Sequence, residues 1–217
     1  KPAAHLYFRS TANKATEIIG PSLKVVEFLR RCGVERHINI IPNTVDLSDF
    51  LPQNVSSDDV RSIRQSLGIR DGDTALCFVG RLGKEKSIDT LIDFFAQNCK
   101  GDDQYKLFII GDGPEKDNLS RQIQDLDISS QVKSLSEMNS ISMLEAMASG
   151  LYVLQRLDIY NKNQIQSGEN GETFTSSKGF GTLIFEQAAL TTDQKLARRQ
   201  RVTAFTNRYG KKEFIAQ

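Results

Sequence analysis

The 217-residue chain is poor in the residues that announce many kinds of chemistry. Its cysteines, Cys32, Cys77 and Cys99, are odd in number, widely spaced and set in apolar contexts. That excludes a disulfide framework and reads as reduced and cytosolic. The two histidines, His5 and His37, have no cysteine or carboxylate cluster around them, which argues against a zinc site. No apolar run approaches the length of a membrane span, and no signal-peptide pattern opens the chain. A formal net charge of +1 gives little support to a nucleic-acid module, which needs a basic, aromatic-rich face. What is left is a cytoplasmic globular protein, 39% hydrophobic and 25% charged. The chain opens at Lys1 without an initiator methionine, so the expectation is that it starts partway through a longer protein.

Apolar runs alternate with amphipathic ones. "ATEIIGPS" (15–22) reads as a short strand, "SLKVVEFLRRCG" as a helix stopped by Gly33, and "INIIPN" (38–43) as a second strand. "TVDLSDFLPQN" reads as a loop. "SSDDVRSIRQSLGI" has Ser/Asp caps, Val60, Ile63 and Leu67 at helical spacing, and Gly68 as its stop. A buried strand is expected at 74–79. The helix after it carries Ile88, Leu91, Ile92 and Phe95 as one stripe, with Ser87 as N-cap. "YKLFIIGDGP" (105–114) repeats the plan of strand, glycine turn and helix-opening proline, before a helix with Leu119, Ile123 and Leu126 on one face. "MNSISMLEAMASG" (138–150) reads as a helix, "LYVLQ" as a strand and "QSGENGETF" as a glycine-rich turn before another strand; the chain is helical from about 176. Strands alternating with helices predict βαβ units, a parallel sheet and an α/β, Rossmann-like fold. In such sheets ligands bind beyond the carboxyl ends of the strands, where these glycine turns lie.

Three stretches there can carry chemistry. In "VGRLGKEKS" (79–87), Arg81 and Lys86 flank a strand-to-helix turn at Gly80. Two cations beside helix N–H groups suit a diphosphate, although such a loop taken alone is most often solvated surface. "GDGPEKDN" places a Gly-Asp-Gly turn after the next strand, which serves a tight turn as well as a ligand. In "EMNSISMLEAMASG", Glu137 precedes a helix that opens at Asn139-Ser140-Ile141-Ser142 and carries Glu145. Free N–H groups there suit phosphate, and a carboxylate suits vicinal hydroxyls. Singly, Glu145 reads as an ordinary exposed helix glutamate.

In combination, G-R-x4-K after a strand, strand-G-D-G-P, E-x7-E-A-M-A-x-G and "QSGENGETF" resemble the C-terminal domain of the group 1 (family 4) glycosyltransferases of GT-B architecture. "HINIIPNTVDLSDF" is similar to that family's boundary between its two domains. The resemblance implies residues 1–42 as the end of an otherwise absent N-terminal acceptor domain, itself Rossmann-like. It implies 43–200 as the donor-nucleotide domain, a parallel sheet flanked by helices, and 201–217 as a helix packing back toward the N-terminal domain. It implies a hexosyltransferase that retains anomeric configuration and needs no metal or cofactor, the nucleotide-sugar being its substrate. Arg81 and Lys86 would hold the donor's diphosphate, beside Gly80. Glu137 would contact donor-sugar hydroxyls, the N–H groups of Ser140, Ile141 and Ser142 the phosphates, and Glu145 the ribose. UDP-glucose is the donor expected from the family's commonest donors. Preorganised cations can stabilise the negative charge that grows on a departing diphosphate.

The chain departs from the family pattern in several places. Only "KSLS" separates Val132 from Glu137, where the family has a further helix and strand; the expectation is a longer chain, which an intact mass of 24.3 kDa would contradict. Ser87 replaces the family's usual glycine after the lysine, and Tyr152 stands where proline is common. For the acceptor, a lipid or a glycan is expected. The N-terminal segment is similar to bacterial glucosyltransferases acting on diacylglycerol. Lys195, Arg198, Arg199, Arg201, Arg208, Lys211 and Lys212 form an acid-free run suited to an anionic membrane surface, hence a peripheral location at its inner face. Such runs are usually solvated helix faces, and Val202, Phe205 and Tyr209 can equally pack on the fold. A nicotinamide-dependent enzyme is disfavoured because Gly111-Asp112-Gly113-Pro114 lacks the third glycine of its fingerprint. A non-catalytic sugar-nucleotide-binding domain is the alternative from another class.

Overall fold

The computed structural model describes residues 2–41, 48–135, 143–157 and 165–207. The N-terminal part opens with α1 (Pro2–Ala12), a helix that the sequence reading did not anticipate. Then β1 (Ile19–Gly20), α2 (Leu23–Arg31) and β2 (Asn39–Ile40) form a parallel pair with its crossover helix. Its own small core consists of Ile18, Leu29, Val34 and Ile38. Gly33 takes the left-handed conformation that ends α2. The expected loop before the next helix contains two single 3-10 turns, Ser48–Phe50 and Pro52–Asn54.

The larger part is built on β3 (Thr74–Val79), β4 (Tyr105–Ile110) and β5 (Val132–Leu135), all parallel, with β4 in the middle. Before it, α3 (Ser57–Leu67) starts where the Ser56 hydroxyl accepts a hydrogen bond from the Asp59 N–H at 3.0 Å, and stops at left-handed Gly68. α4 (Ile88–Cys99) buries Ile88, Ile92, Phe95 and Cys99, and α5 (Lys116–Asp125) buries Leu119 and Ile123. These side chains meet Leu107 and Ile109 of β4 in the main core. α7 (Ser177–Ala188) closes that core with Phe180 and Ile184, and its Gly181 lies against the Asn98 side chain of α4. Phe94, Phe174 and Phe180 pack edge-on or tilted, with ring centroids 5.1–6.3 Å apart.

After α6 (Met143–Ala148), β6 (Val153–Arg156) and β7 (Gly171–Phe174) pair with each other in parallel. Among the described residues there are three parallel sheets: the β1–β2 pair in the segment expected as the end of an N-terminal domain, and β3–β4–β5 and β6–β7 in the expected donor-nucleotide domain. Among the described residues β3 is an edge strand, paired with β4 alone. Ala75 and Cys77 are exposed on it, where the sequence predicted a buried strand. Cys32 and Cys99 are buried as their contexts suggested.

The last helix, α8 (Thr192–Asn207), runs unbroken across the domain limit expected at residue 200. Its Val202 and Phe205 are buried with Met147 of α6 and Ile165. Both side chains therefore face the fold. Tyr209 lies outside the described residues. Among those described, no helix is long and apolar enough to cross a membrane.

Candidate functional site

β3 and β4 run in register, Val79 opposite Ile110, and each ends on a glycine. Pairing continues past both strands. The Gly80 N–H donates to the Ile110 carbonyl at 3.0 Å, the Leu82 N–H to the Asp112 carbonyl at 2.9 Å, and the Glu115 N–H to the Leu82 carbonyl at 3.0 Å. Gly111 and Gly113 have positive φ, and a methyl group on either would run into backbone, the Gly80 and Leu82 carbonyls respectively. The two turns that looked independent in the sequence are thus one backbone platform. Its glycines are required by close approach as well as by turn geometry.

Leu82, 1% exposed, and Ile88, 2% exposed, anchor the loop between them in the main core. Arg81, Lys84, Glu85 and Lys86 are left exposed. Gly83 is buried beneath the Glu85 carboxylate. Lys84–Lys86 form a 3-10 turn in which the Lys86 N–H donates to the Gly83 carbonyl at 3.0 Å. Among the described residues, the side chains of Arg81 and Lys86 make no hydrogen bond or ion pair. Their charges stay available to an anion. Ser87 sits at the start of α4 as expected, but its role differs. With φ 50° and ψ 42° it is left-handed, and its hydroxyl caps nothing. A residue in that conformation cannot offer its side chain to the first turn as an extended N-cap does. It is also a position where glycine is favoured.

The hollow beside this loop is lined by Gly83, Lys84, Ile88, Asp89, Glu115 and Leu119, with a volume of about 180 Å³. A larger hollow of about 410 Å³ lies along α3 by Arg61, Arg64 and Ile69. It is far more open and has none of the glycine turns or paired strand ends, so the loop is the better candidate.

Glu145 stands on a different element, the six-residue α6, and is half-buried. The Ser149 N–H and hydroxyl both donate to its carbonyl, at 3.0 and 3.1 Å. Gly150, at φ 78°, ends the helix; its N–H bonds the Met147 carbonyl, and the Leu151 N–H reaches back to Ala146. Glu137, Ser140, Ile141 and Ser142 lie outside the described residues. The structure therefore brings Gly80, Arg81 and Lys86 together on one loop and adds the Gly111–Pro114 turn to them.

Several structural polar residues were invisible in the sequence. Asn170 is fully buried; its side-chain oxygen accepts from the Gln166 N–H at 2.8 Å and its amide lies 3.5 Å from the Met147 sulfur. Its place in "GENG" is the one signal that marked it. Gln131, 3% exposed, donates to the Cys99, Asp102 and Tyr105 carbonyls and accepts from Gly101, joining α4 to β4. Glu172 accepts from the Tyr152 hydroxyl. Nothing in local pattern distinguishes these from surface amides and acids. Among the described residues no three His, Cys, Asp or Glu side chains form a metal cluster.

A family model described as "Glycosyl transferases group 1" matches residues 59–140, which include β3, the loop and the Gly111–Pro114 turn. The chain is 27% identical over 199 residues to an alpha-monoglucosyldiacylglycerol synthase of Streptococcus pneumoniae, covering 81% of this chain and 45% of that protein. It is 26% identical over 183 residues to the synthase of the same name from Acholeplasma laidlawii, covering 74% and 46%. The chain thus spans about half the length of the curated relatives it matches. Among solved structures, Alr3699/HepE of Anabaena in complex with UDP-glucose superposes with a TM-score of 0.83 at 20% identity, over 100% of this chain and 65% of that one. TarM of S. aureus gives 0.78 at 16% identity, over 100% and 45%. The loop and turn that the backbone joins into one platform lie within the segment, residues 59–140, that matches the group 1 glycosyl transferase model, and the α/β fold agrees with that of GT-B enzymes.

Proposed function

We propose that this chain supplies the donor side of a hexosyltransferase that uses a UDP-sugar, UDP-glucose foremost, and transfers the hexose to a lipid acceptor of the diacylglycerol kind with retention of configuration. The observation that carries the reading is the fused platform of Gly80–Lys86 and Gly111–Pro114, with two exposed and unpaired cations at the carboxyl end of a parallel sheet. In the reaction, the bond from the anomeric carbon to the diphosphate oxygen breaks and its electron pair leaves with UDP. The acceptor hydroxyl forms the new bond to the anomeric carbon, and its proton passes to the departing diphosphate oxygen. Arg81 and Lys86 stabilise the charge that develops on the leaving diphosphate, without a metal ion. A fixed backbone beneath them keeps those cations in place before the reaction begins.

Glu145 takes the ribose hydroxyls in this reading, Glu137 the sugar hydroxyls, and the N–H groups of Ser140 to Ser142 the phosphates. The UDP-glucose complex of Alr3699/HepE supports the donor. The names of the curated relatives support a glycolipid product, and an alpha glucoside is what retention from the α-linked UDP-glucose would leave. The match of residues 59–140 to a glycosyltransferase family model favours catalysis over a purely binding role. Contact with an anionic membrane surface through α8 would be electrostatic, through exposed Lys195, Arg199 and Arg201, because Val202 and Phe205 are buried. Such an enzyme works at the cytoplasmic face. A two-domain chain incubated with UDP-[14C]glucose and diacylglycerol vesicles in EDTA tests the reaction: label in the lipid phase, lost in Arg81→Ala, is the expected result. Label appearing only with added divalent metal would count against it.

A further inference from the structure

α6, the helix that carries Glu145, has only two turns, and its position is set by what it rests on. Met147 packs with Ile165, Val202 and Phe205, and Met143, Tyr152 and Val153 pack against that cluster. Asn170 adds its contact to the Met147 sulfur. The seat of α6 is therefore α8 on one side and the turn 165–171 on another, because Ile165 and Asn170 both belong to that turn.

The turn is held chiefly by one carboxylate. Glu172 accepts from the Ser167 hydroxyl at 2.6 Å, from the Gly168 N–H at 3.0 Å and from the Tyr152 hydroxyl at 3.0 Å. Tyr152 follows the C-terminal stop of α6 by two residues, and its ring lies under the Arg198 guanidinium of α8, 4.3 Å from the ring centroid. Arg198 also bonds Gln187 of α7. Burial, and next the bond to Glu172, push the Tyr152 hydroxyl up to about 12, so it stays a donor throughout the ordinary pH range. One phenol thus joins the end of α6, the turn and α8. Proline, common in the family at this position, can make none of these bonds.

We propose that Tyr152 and Glu172 are positioning residues, whose mutual hydrogen bond fixes the turn 165–171 against α6 and thereby sets the carboxylate of Glu145 for the donor's ribose. This rests on the donor reading above. Neither residue touches the substrate; both act through Met147 and the helix around it.

The experiment compares the wild-type chain with Tyr152→Phe and Glu172→Gln, which keep ring and shape. Two readouts are used. The first is amide hydrogen exchange over 143–151, with 88–99 as internal reference. The second is calorimetric affinity for UDP, 2′-deoxy-UDP and inorganic pyrophosphate. Wild type is expected to prefer UDP over 2′-deoxy-UDP by about tenfold, the worth of one hydrogen bond to a charged group. Each variant should shrink that preference to about twofold, leave pyrophosphate affinity unchanged, and speed exchange at 143–151 but not at 88–99. The double variant should be no worse than either single one. An undiminished preference for UDP in both variants, or unaltered exchange at 143–151, overturns the proposal. Wild type without affinity for UDP defeats the donor reading instead, and the exchange measurement alone then decides whether Tyr152 and Glu172 hold α6.

Discussion

Two regions of this molecule support the same proposed site by opposite means. The β3–β4 end is made of backbone: glycines let two turns touch, N–H groups bond carbonyls across them, and buried Leu82 and Ile88 pin the loop while its cations stay outside. The α6 end is made of side chains: Met147, Asn170, Tyr152, Glu172 and Arg198 hold a short helix through contacts between residues distant in sequence, Tyr152 and Arg198 among them. A backbone platform tolerates variation in its exposed side chains and almost none in its glycines. A side-chain scaffold should yield gradually, one bond at a time. On the function proposed above, this would divide the work between a rigid cradle for the diphosphate and an adjustable arm for the sugar and nucleoside.

The sharpest break in the comparison comes from Gly111→Ala. The added methyl meets the Gly80 carbonyl at a positive φ, and overpacking together with strain should cost about 3–5 kcal/mol. Chemical denaturation should show either that loss or a chain that no longer folds. Arg81→Ala and Lys86→Ala remove exposed side chains and should leave the melting temperature within a degree or two. Each should weaken UDP binding by about 10–100-fold if the cation bonds the diphosphate, which isothermal titration measures. Tyr152→Phe should cost only about 1 kcal/mol in unfolding free energy, because the ring and its contact with Arg198 remain. Smallest is Ser87→Gly. Relief of the left-handed serine should stabilise the chain by roughly 0.5 kcal/mol net of the greater freedom of the unfolded glycine, seen as a small rise in the denaturation midpoint.

The backbone region was largely legible beforehand. The apolar runs at 74–79 and 105–110, each closed by glycine, and the stripe from Ile88 to Phe95 state strand, turn and helix in local pattern, and local pattern is what a sequence displays. The side-chain region was not. Tyr152 was noted as a replacement for proline, yet its partner Glu172 lies 20 positions on and nothing nearby marks it. The left-handed Ser87 was misread as a capping residue because serine is the usual cap and conformation cannot be seen in composition. The exposure of Ala75 and Cys77 is illegible for a further reason: burial of a strand depends on its neighbours in the sheet, and that β3 has β4 alone beside it among the described residues is not written in its own local pattern. The apolar residues of α8 were left open between lipid and core, and the core has Val202 and Phe205.

The most direct test of the donor site is calorimetric titration of this chain with UDP, UDP-glucose, GDP-mannose and NAD in the presence of EDTA, repeated with Arg81→Ala and Glu145→Ala. The account predicts binding of UDP and UDP-glucose without metal, weakened about tenfold or more by either substitution, and little affinity for NAD. Tight binding of NAD alone, or UDP binding indifferent to both substitutions, would contradict it.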